Sequence, residues 1–154
     1  MIDGGSGALW RWAAFDELTG REVHDLLRLR AAVFVVEQAC AFAEIDGRDP
    51  HAFHLRWIVG RDLAACLRVL PPEGSGGRPC IGRVASAKGS RGAGLGHRMM
   101  EEALAFCARR FPGLEIDLSA QAHLQPFYAR HGFAAVSDPY LEDDIPHVDM
   151  RRPA

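Results

Sequence analysis

Three glycines, Gly92, Gly94 and Gly96, stand at alternate positions between an apolar run ending at Ser86 and a long run of helix formers. Glycine loses more backbone freedom on folding than any other residue, so a cluster of three needs a reason. Two reasons are a bare turn and a backbone that must come close to a phosphate. The first amides of a helix lack partners inside it, and the helix start carries roughly half a positive charge. Strand, glycine loop and helix start together therefore form an anion-binding device, with room for a diphosphate against bare amides. Charge agrees with this. Between Glu73 and Glu101 there is no acidic residue, whereas Arg78, Arg83, Lys88, Arg91 and Arg98 all lie there. Two nucleotide-binding patterns fail. A P-loop ends in Gly-Lys-Ser/Thr, but His97 follows Gly96; a dinucleotide fingerprint starting at Gly92 and Gly94 needs glycine where His97 stands.

The elements that must position this loop follow from periodicity. LWRWAAF (9–15) reads as an opening strand. Thr19 and Glu22 have capping-box spacing, so a helix begins there and continues through Val23, Leu26, Leu27, Arg30 and Phe34. Residues 40–50 form an irregular acidic stretch containing Glu44, Asp46 and Asp49. Segments 52–59 and 63–70 read as a hairpin, and 81–86 as a short strand leading into the glycines. Leu95, Met99, Ala103 and Phe106, with Met100, Leu104, Cys107 and Phe111, give one broad apolar helix face, ended by Pro112 and Gly113. LEIDLSA (114–120) alternates as a strand. A short helix then starts near Leu124, since Pro126 suits a first turn, and Gly132 closes it. FAAV and HVDMR are two strands separated by a polar loop at 137–146. This order is neither a strict βαβ alternation nor a bundle, and it predicts an α+β fold.

The chain has 154 residues, 48% of them hydrophobic and 25% charged, which predicts one folded domain over 1–154. A net charge of −2 argues against nucleic acid as a partner, and the absence of a long apolar stretch argues against a membrane span. The first residues lack the basic-then-apolar order of a secretory signal. Cys40, Cys66, Cys80 and Cys107 have no paired spacing and read as free thiols in a reducing cytoplasm, with no metal site. Glu142, Asp143 and Asp144 form an acidic cluster suited to a cation.

Arg91, Gly94 and Gly96 in the order Arg-x-x-Gly-x-Gly resemble the pyrophosphate loop of the GNAT N-acetyltransferases, and FYARHGF (127–133) resembles that superfamily's second motif. VFVVEQAC, EIDGRD, LPP, IGRV, AQAHLQ and EDDIPH are similar to the ElaA-like branch, over roughly residues 12–150. The resemblance implies a central mixed, splayed β-sheet flanked by helices on both faces, with acetyl-CoA as donor substrate and no metal. It places the pantetheine arm beside Val84, Ala85 and Ser86, where relatives usually have an apolar residue at the Ser86 position. The diphosphate falls on the amides of Arg91, Gly92, Ala93, Gly94, Leu95 and Gly96, with Lys88, Arg91 and Arg98 as partners of the outer phosphates. Gln121 stands where many relatives hold the pantetheine arm with an asparagine. Homodimers are common in the superfamily, although no residue pattern here marks an interface.

Acetyl transfer to an amine needs a deprotonated amine, a stabilised thioester oxygen and a proton or hydrogen bond for the leaving thiolate. The resemblance assigns the last role to Tyr128. The base stays open among Glu37, Glu44, Asp46, His147 and water; Glu37 and Glu44 are the expected amine contacts. The expected activity is transfer of an acetyl group to a primary amine of a small molecule or peptide. Two alternatives are a longer acyl donor, as in acyl-homoserine-lactone synthases, and a coenzyme-binding module without catalysis.

Overall fold

A computed structural model describes residues 7–154. The chain forms two compact units, Met1–Arg68 with Arg83–Gly96 and Val69–Gly82 with His97–Ala154. Eight strands make one mixed sheet in the order β1-β2-β3-β4-β5-β8-β6, with β7 paired to β8.

In the first unit, β1 (Ala8–Ala14) runs antiparallel to β2 (Phe53–Val59) from Ala8↔Val59 to Ala14↔Phe53. Trp10 faces Trp57 across that pair with ring centroids 4.4 Å apart, an aromatic cross-strand contact of the kind that stabilises a ladder. β3 (Asp62–Leu70) follows β2 after a two-residue turn at Gly60, whose positive φ suits glycine. Helix α1 (Gly20–Arg30) starts on the expected capping box. The Glu22 amide donates to Thr19 Oγ1 at 3.1 Å, and the Thr19 amide donates to Glu22 Oε1 at 2.9 Å. Its apolar side buries Leu26, Leu29 and, beyond the helix, Val33 against Cys66 and Ala85. Ala31–Glu37 continues α1 as a wider turn, in which the amides of Gln38 and Cys40 reach back five residues, to the Val33 and Val35 carbonyls. Such π turns widen a helix by one residue and recur at functional sites. The β-branched residues Val33, Val35 and Val36 are also poor formers of a regular α-helix.

β4 (Cys80–Ser86) begins in the second unit, where it pairs in parallel with β5 (Ile116–Gln121) through Cys80↔Asp117 and Ile81↔Leu118. Helix α2 (Leu95–Arg110) buries Leu95, Met99, Met100, Ala103 and Cys107 on one stripe, as its periodicity predicts. Helix α3 (Gln125–Ala129) is one short stretch with Pro126 in its first turn, closed by Gly132 at φ +88°. β6 (Ala134–Ala135) and β8 (Ile145–Arg152) correspond to the two final strands. The segment between them is more than a loop: β7 (Tyr140–Glu142) forms a hairpin with β8. Asp143 and Asp144 make its turn at φ +49° and +63°, the left-handed pair of a type I′ turn, which aspartate tolerates. The acidic cluster is thus also a turn.

Candidate active site

Gly92, Ala93 and Gly94 are three consecutive left-handed residues, at φ +99°, +52° and +73°. A Cβ built at Gly92 or Gly94 would meet no atom within 4 Å, so the space over the loop is open and the glycines serve conformation rather than crowding. Leu95 begins α2 directly, with its amide on the Gly92 carbonyl at 3.2 Å. The loop therefore has the shape, the helix start and the open face that a diphosphate requires.

Arg91 is not extended into solvent. Its Nε and Nη2 donate to the Ser86 carbonyl at 3.2 and 3.0 Å, and Nη2 also lies 2.9 Å from Glu37 Oε2. The π turn is what presents Glu37 there. A resident carboxylate thus occupies the guanidinium assigned to a phosphate, and the guanidinium occupies a carbonyl assigned to the pantetheine arm. Lys88 is exposed in the turn Lys88–Ser90, while Val84 and Ser86 are half-buried and Ala85 is buried.

Within β4, Arg83 sits at φ +50°, a left-handed residue that interrupts the regular strand two residues before Ala85. Its side chain belongs to a network of three arginines and three carboxylates. Arg30, 2% exposed, donates Nε to Glu44 at 2.7 Å and grips Asp49 with Nη1 and Nη2 at 2.7 and 3.1 Å. Arg68 reaches Asp49 at 3.0 Å and Asp46 at 2.5 Å; Arg83 reaches Glu44 at 3.1 Å and Asp46 at 3.4 Å. The Arg68 hydrogen bond is the main cause holding the Asp46 carboxyl far below the usual range. For Asp49, burial pushes the pKa upward, but Arg30 and Arg68 together outweigh it and leave it lowered. Glu44 is buried between Arg30 and Arg83, so the EIDGRD motif is in large part a charge-matched anchor for β4.

In the second unit, Tyr128 is 8% exposed, with Phe127 and Phe133 edge-on to its ring at 5.0 and 6.3 Å. Burial is the sole cause that pushes its hydroxyl up to about 12, so it stays a neutral donor across the working range. Gln121 ends β5 directly opposite His147 of β8. His97, just after the glycine loop, shares a 2.8 Å hydrogen bond with His131 beyond α3, both rings packed around Phe127. This pair, the Arg83 conformation and the ion network were not readable from spacing; the partners lie up to 39 residues apart. Among the described residues no three His, Cys, Asp or Glu side chains gather to hold a metal ion. Among the described residues no helix is long and apolar enough to cross a membrane.

A mixed sheet, a glycine loop at a helix start and a buried tyrosine on the following short helix define an acyltransferase architecture. A family profile described as "Acetyltransferase (GNAT) domain" matches residues 74–153. E. coli ElaA is 39% identical over 146 residues, covering 93% of this chain and 95% of the relative, and its crystal structure superposes with a TM-score of 0.90. That structure is covered to 99%, and 94% of this chain, at 37% identity. An acyl-CoA N-acyltransferase from Pseudomonas aeruginosa is 47% identical, with a TM-score of 0.91 over 94% of this chain and 99% of that one. A UPF0039 protein of Synechocystis is 39% identical over 92% of both chains. The fold alone is shared with the acyl-homoserine-lactone synthase LasI, at 18% identity and a TM-score of 0.75 over 96% of this chain and 90% of that one. The chain belongs to the GNAT acyltransferase superfamily, in its ElaA-like branch.

Proposed function

We propose that the protein transfers the acetyl group of acetyl-CoA to a primary amine of a small molecule or peptide, by direct attack on the thioester. The observation that carries this reading is the open left-handed loop Gly92–Gly94 at the start of α2, with Arg91 beside it. In this reading the whole chain acts as one acetyltransferase domain. The resemblance to the family assigns the amides of Arg91–Gly96 to the diphosphate, the main chain of Val84–Ser86 and the Gln121 side chain to the pantetheine arm, and Tyr128 to the sulfur.

The amine lone pair forms the C–N bond and the C–S bond breaks. The amine gives up its proton to a base, and the departing sulfur takes a hydrogen bond and then a proton from Tyr128. Strand amides next to the interrupted position at Arg83 meet the oxygen that becomes negative, where a single preset donor contributes about 10²–10³ in rate. Glu37 and Glu44 are each matched by arginines; here they hold Arg91 and the network around β4. Cys66 and Cys107, free thiols buried in the core, suit the cytoplasm as the working compartment.

A second reading, a longer acyl donor, draws support from one feature. The first unit contains an open pocket of about 160 Å³ with Phe15, Val23, Leu26 and Leu27 along its apolar side and Arg30 and Asp49 at its edge. One experiment tests both readings. Thiol release from acetyl-, butyryl- and hexanoyl-CoA is followed against a panel of amines. The acetyl reading expects acetyl-CoA to have the highest kcat/KM, and a hexanoyl preference would replace it with the second.

A further inference from the structure

His147 is half-buried in β8, between Gln121 of β5 on one side and Tyr140 of β7 on the other. Residues directly opposite in antiparallel strands project from the same face, with Cβ atoms about 5 Å apart. The imidazole therefore stands one strand from the glutamine assigned to the pantetheine arm. Its Nδ1 lies 2.7 Å from the Ile145 carbonyl. A carbonyl only accepts, so the ring proton sits on Nδ1 and the neutral ring keeps its lone pair on Nε2. Nε2 is 3.7 Å from Glu142 Oε2, too far for a hydrogen bond and close enough to stabilise a proton once one arrives.

The surroundings keep that lone pair available. Tyr140 stacks on the ring at 6.2 Å and 25°, but its hydroxyl is already spent: it donates to Asp149 Oδ1 at 2.6 Å and sits 2.6 Å from Ser119 Oγ. Burial, then the Asp149 bond, raises the Tyr140 pKa, so this phenol stays neutral. The acidic neighbours on β7, the turn and β8 are Glu142, Asp143, Asp144 and Asp149; the basic residues of β8, Arg151 and Arg152, end the strand, where Arg152 Nε donates to the His131 carbonyl. β5 adds Asp117, which pairs with Arg78 and Arg151, and the turn Ala122–Leu124 that packs on β8 adds His123.

We infer that His147 is the general base of the acyl transfer, and that the acceptor is a primary amine that arrives as an ammonium drawn by the Glu142–Asp144 turn. This assignment rests on the acyl-transfer reading above and deepens it. His147 Nε2 takes one proton from the ammonium and so frees the lone pair that forms the C–N bond; as the C–S bond breaks, the second surplus proton of the nitrogen passes to the sulfur through Tyr128. The imidazolium pairs with Glu142 and returns its proton to water after the amide and the free thiol have left. An orienting bond at Nδ1 with Nε2 unspent is the arrangement a histidine base needs. Glu37 and Glu44 lack this freedom, being held by arginines.

The test uses the full chain and its His147→Asn variant, whose side-chain amide can keep the bond to the Ile145 carbonyl but has no basic nitrogen. Two probe amines are compared with acetyl-CoA: n-propylamine, an ammonium at neutral pH, and methoxyamine, already a free base there. A general base is typically worth about 10²–10⁴ in rate. His147→Asn should lower the propylamine rate by about 10²-fold or more and the methoxyamine rate less than about tenfold, with coenzyme affinity unchanged. Added imidazole should restore activity to His147→Ala. Equal losses with both amines, or no loss, overturn the assignment. So does acetyl-CoA binding with neither amine acylated by the native protein, or a ¹⁵N spectrum placing the His147 proton on Nε2. Failure to bind acetyl-CoA at all would instead refute the acyl-transfer reading beneath it.

Discussion

Replacing Tyr128 by phenylalanine removes the hydroxyl that the proposed mechanism sets at the sulfur. The hydroxyl is pushed up to about 12 by burial alone, whereas an ordinary thiol titrates near about 8.5. Handing the proton fully to the sulfur therefore runs uphill by about 3.5 pK units, or about 5 kcal/mol, at about 1.4 kcal/mol per unit. On the proposed mechanism Tyr128 acts first as a hydrogen-bond donor to the growing thiolate, and its proton moves only as the C–S bond opens. A hydrogen bond to a charged group contributes about 1.5–3 kcal/mol, which converts to a loss of about 10- to 150-fold in kcat for Tyr128→Phe. Because no hydrogen bond contributes to the hydroxyl's pKa in the unliganded protein, its removal should leave the melting temperature unchanged or slightly higher. The assay is thiol release at saturating acetyl-CoA and amine, with a single-turnover measurement to establish that chemistry limits the rate. Coenzyme affinity, measured by calorimetry, should stay within about twofold. An unchanged single-turnover rate would assign Tyr128 to packing. A loss confined to coenzyme affinity would refute the reasoning equally.

Two further perturbations probe the first unit. Glu37→Gln removes the resident anion from Arg91; because the pair is about one-third exposed, its release should tighten coenzyme binding by only about 1.5- to 5-fold by calorimetry. Weaker binding would mean that Glu37 preorganises Arg91 instead of competing for it. Asp49→Asn leaves Arg30 and Arg68 short of a buried partner and should cost about 3–5 kcal/mol in urea unfolding. Asp46 and Asp49 have lowered folded-state pKa values, so their stabilisation is complete above the unfolded carboxylate value of about 3.9 and is lost as the pH falls below it. The Asp49→Asn variant should show a shallower acid loss over that window, and an identical acid profile would remove Asp49 from the account.

The local features were readable in the sequence because they depend on neighbours along the chain. The Thr19–Glu22 capping box, the α2 stripe from Leu95 to Cys107 and the glycine loop are each set by spacings of one turn or less. The segment 137–146 reads as a polar loop because its β7 residues are few and its turn is built from two aspartates, yet the structure pairs Tyr140–Glu142 with β8. The π turn escaped because a single extra residue per turn leaves hydrophobic periodicity almost unaltered, yet it is what brings Glu37 to Arg91. Charge matching was the least legible. Arg30, Glu44, Asp49, Arg68 and Arg83 meet only through tertiary structure, and the sequence shows an acidic segment and a basic window with no sign that they neutralise each other.

Calorimetric titration of coenzyme A into the native protein, Gly94→Ala and Gly94→Glu tests the loop most directly. Both substitutions place a side chain on a left-handed residue, at a cost of about 1–2 kcal/mol in backbone conformation, so the alanine variant isolates that strain. The added glutamate carboxylate stands in the open space over the loop and repels a diphosphate. Measurable binding by native protein and Gly94→Ala with none by Gly94→Glu is the predicted result; Gly94→Glu binding coenzyme A as tightly as Gly94→Ala would contradict it.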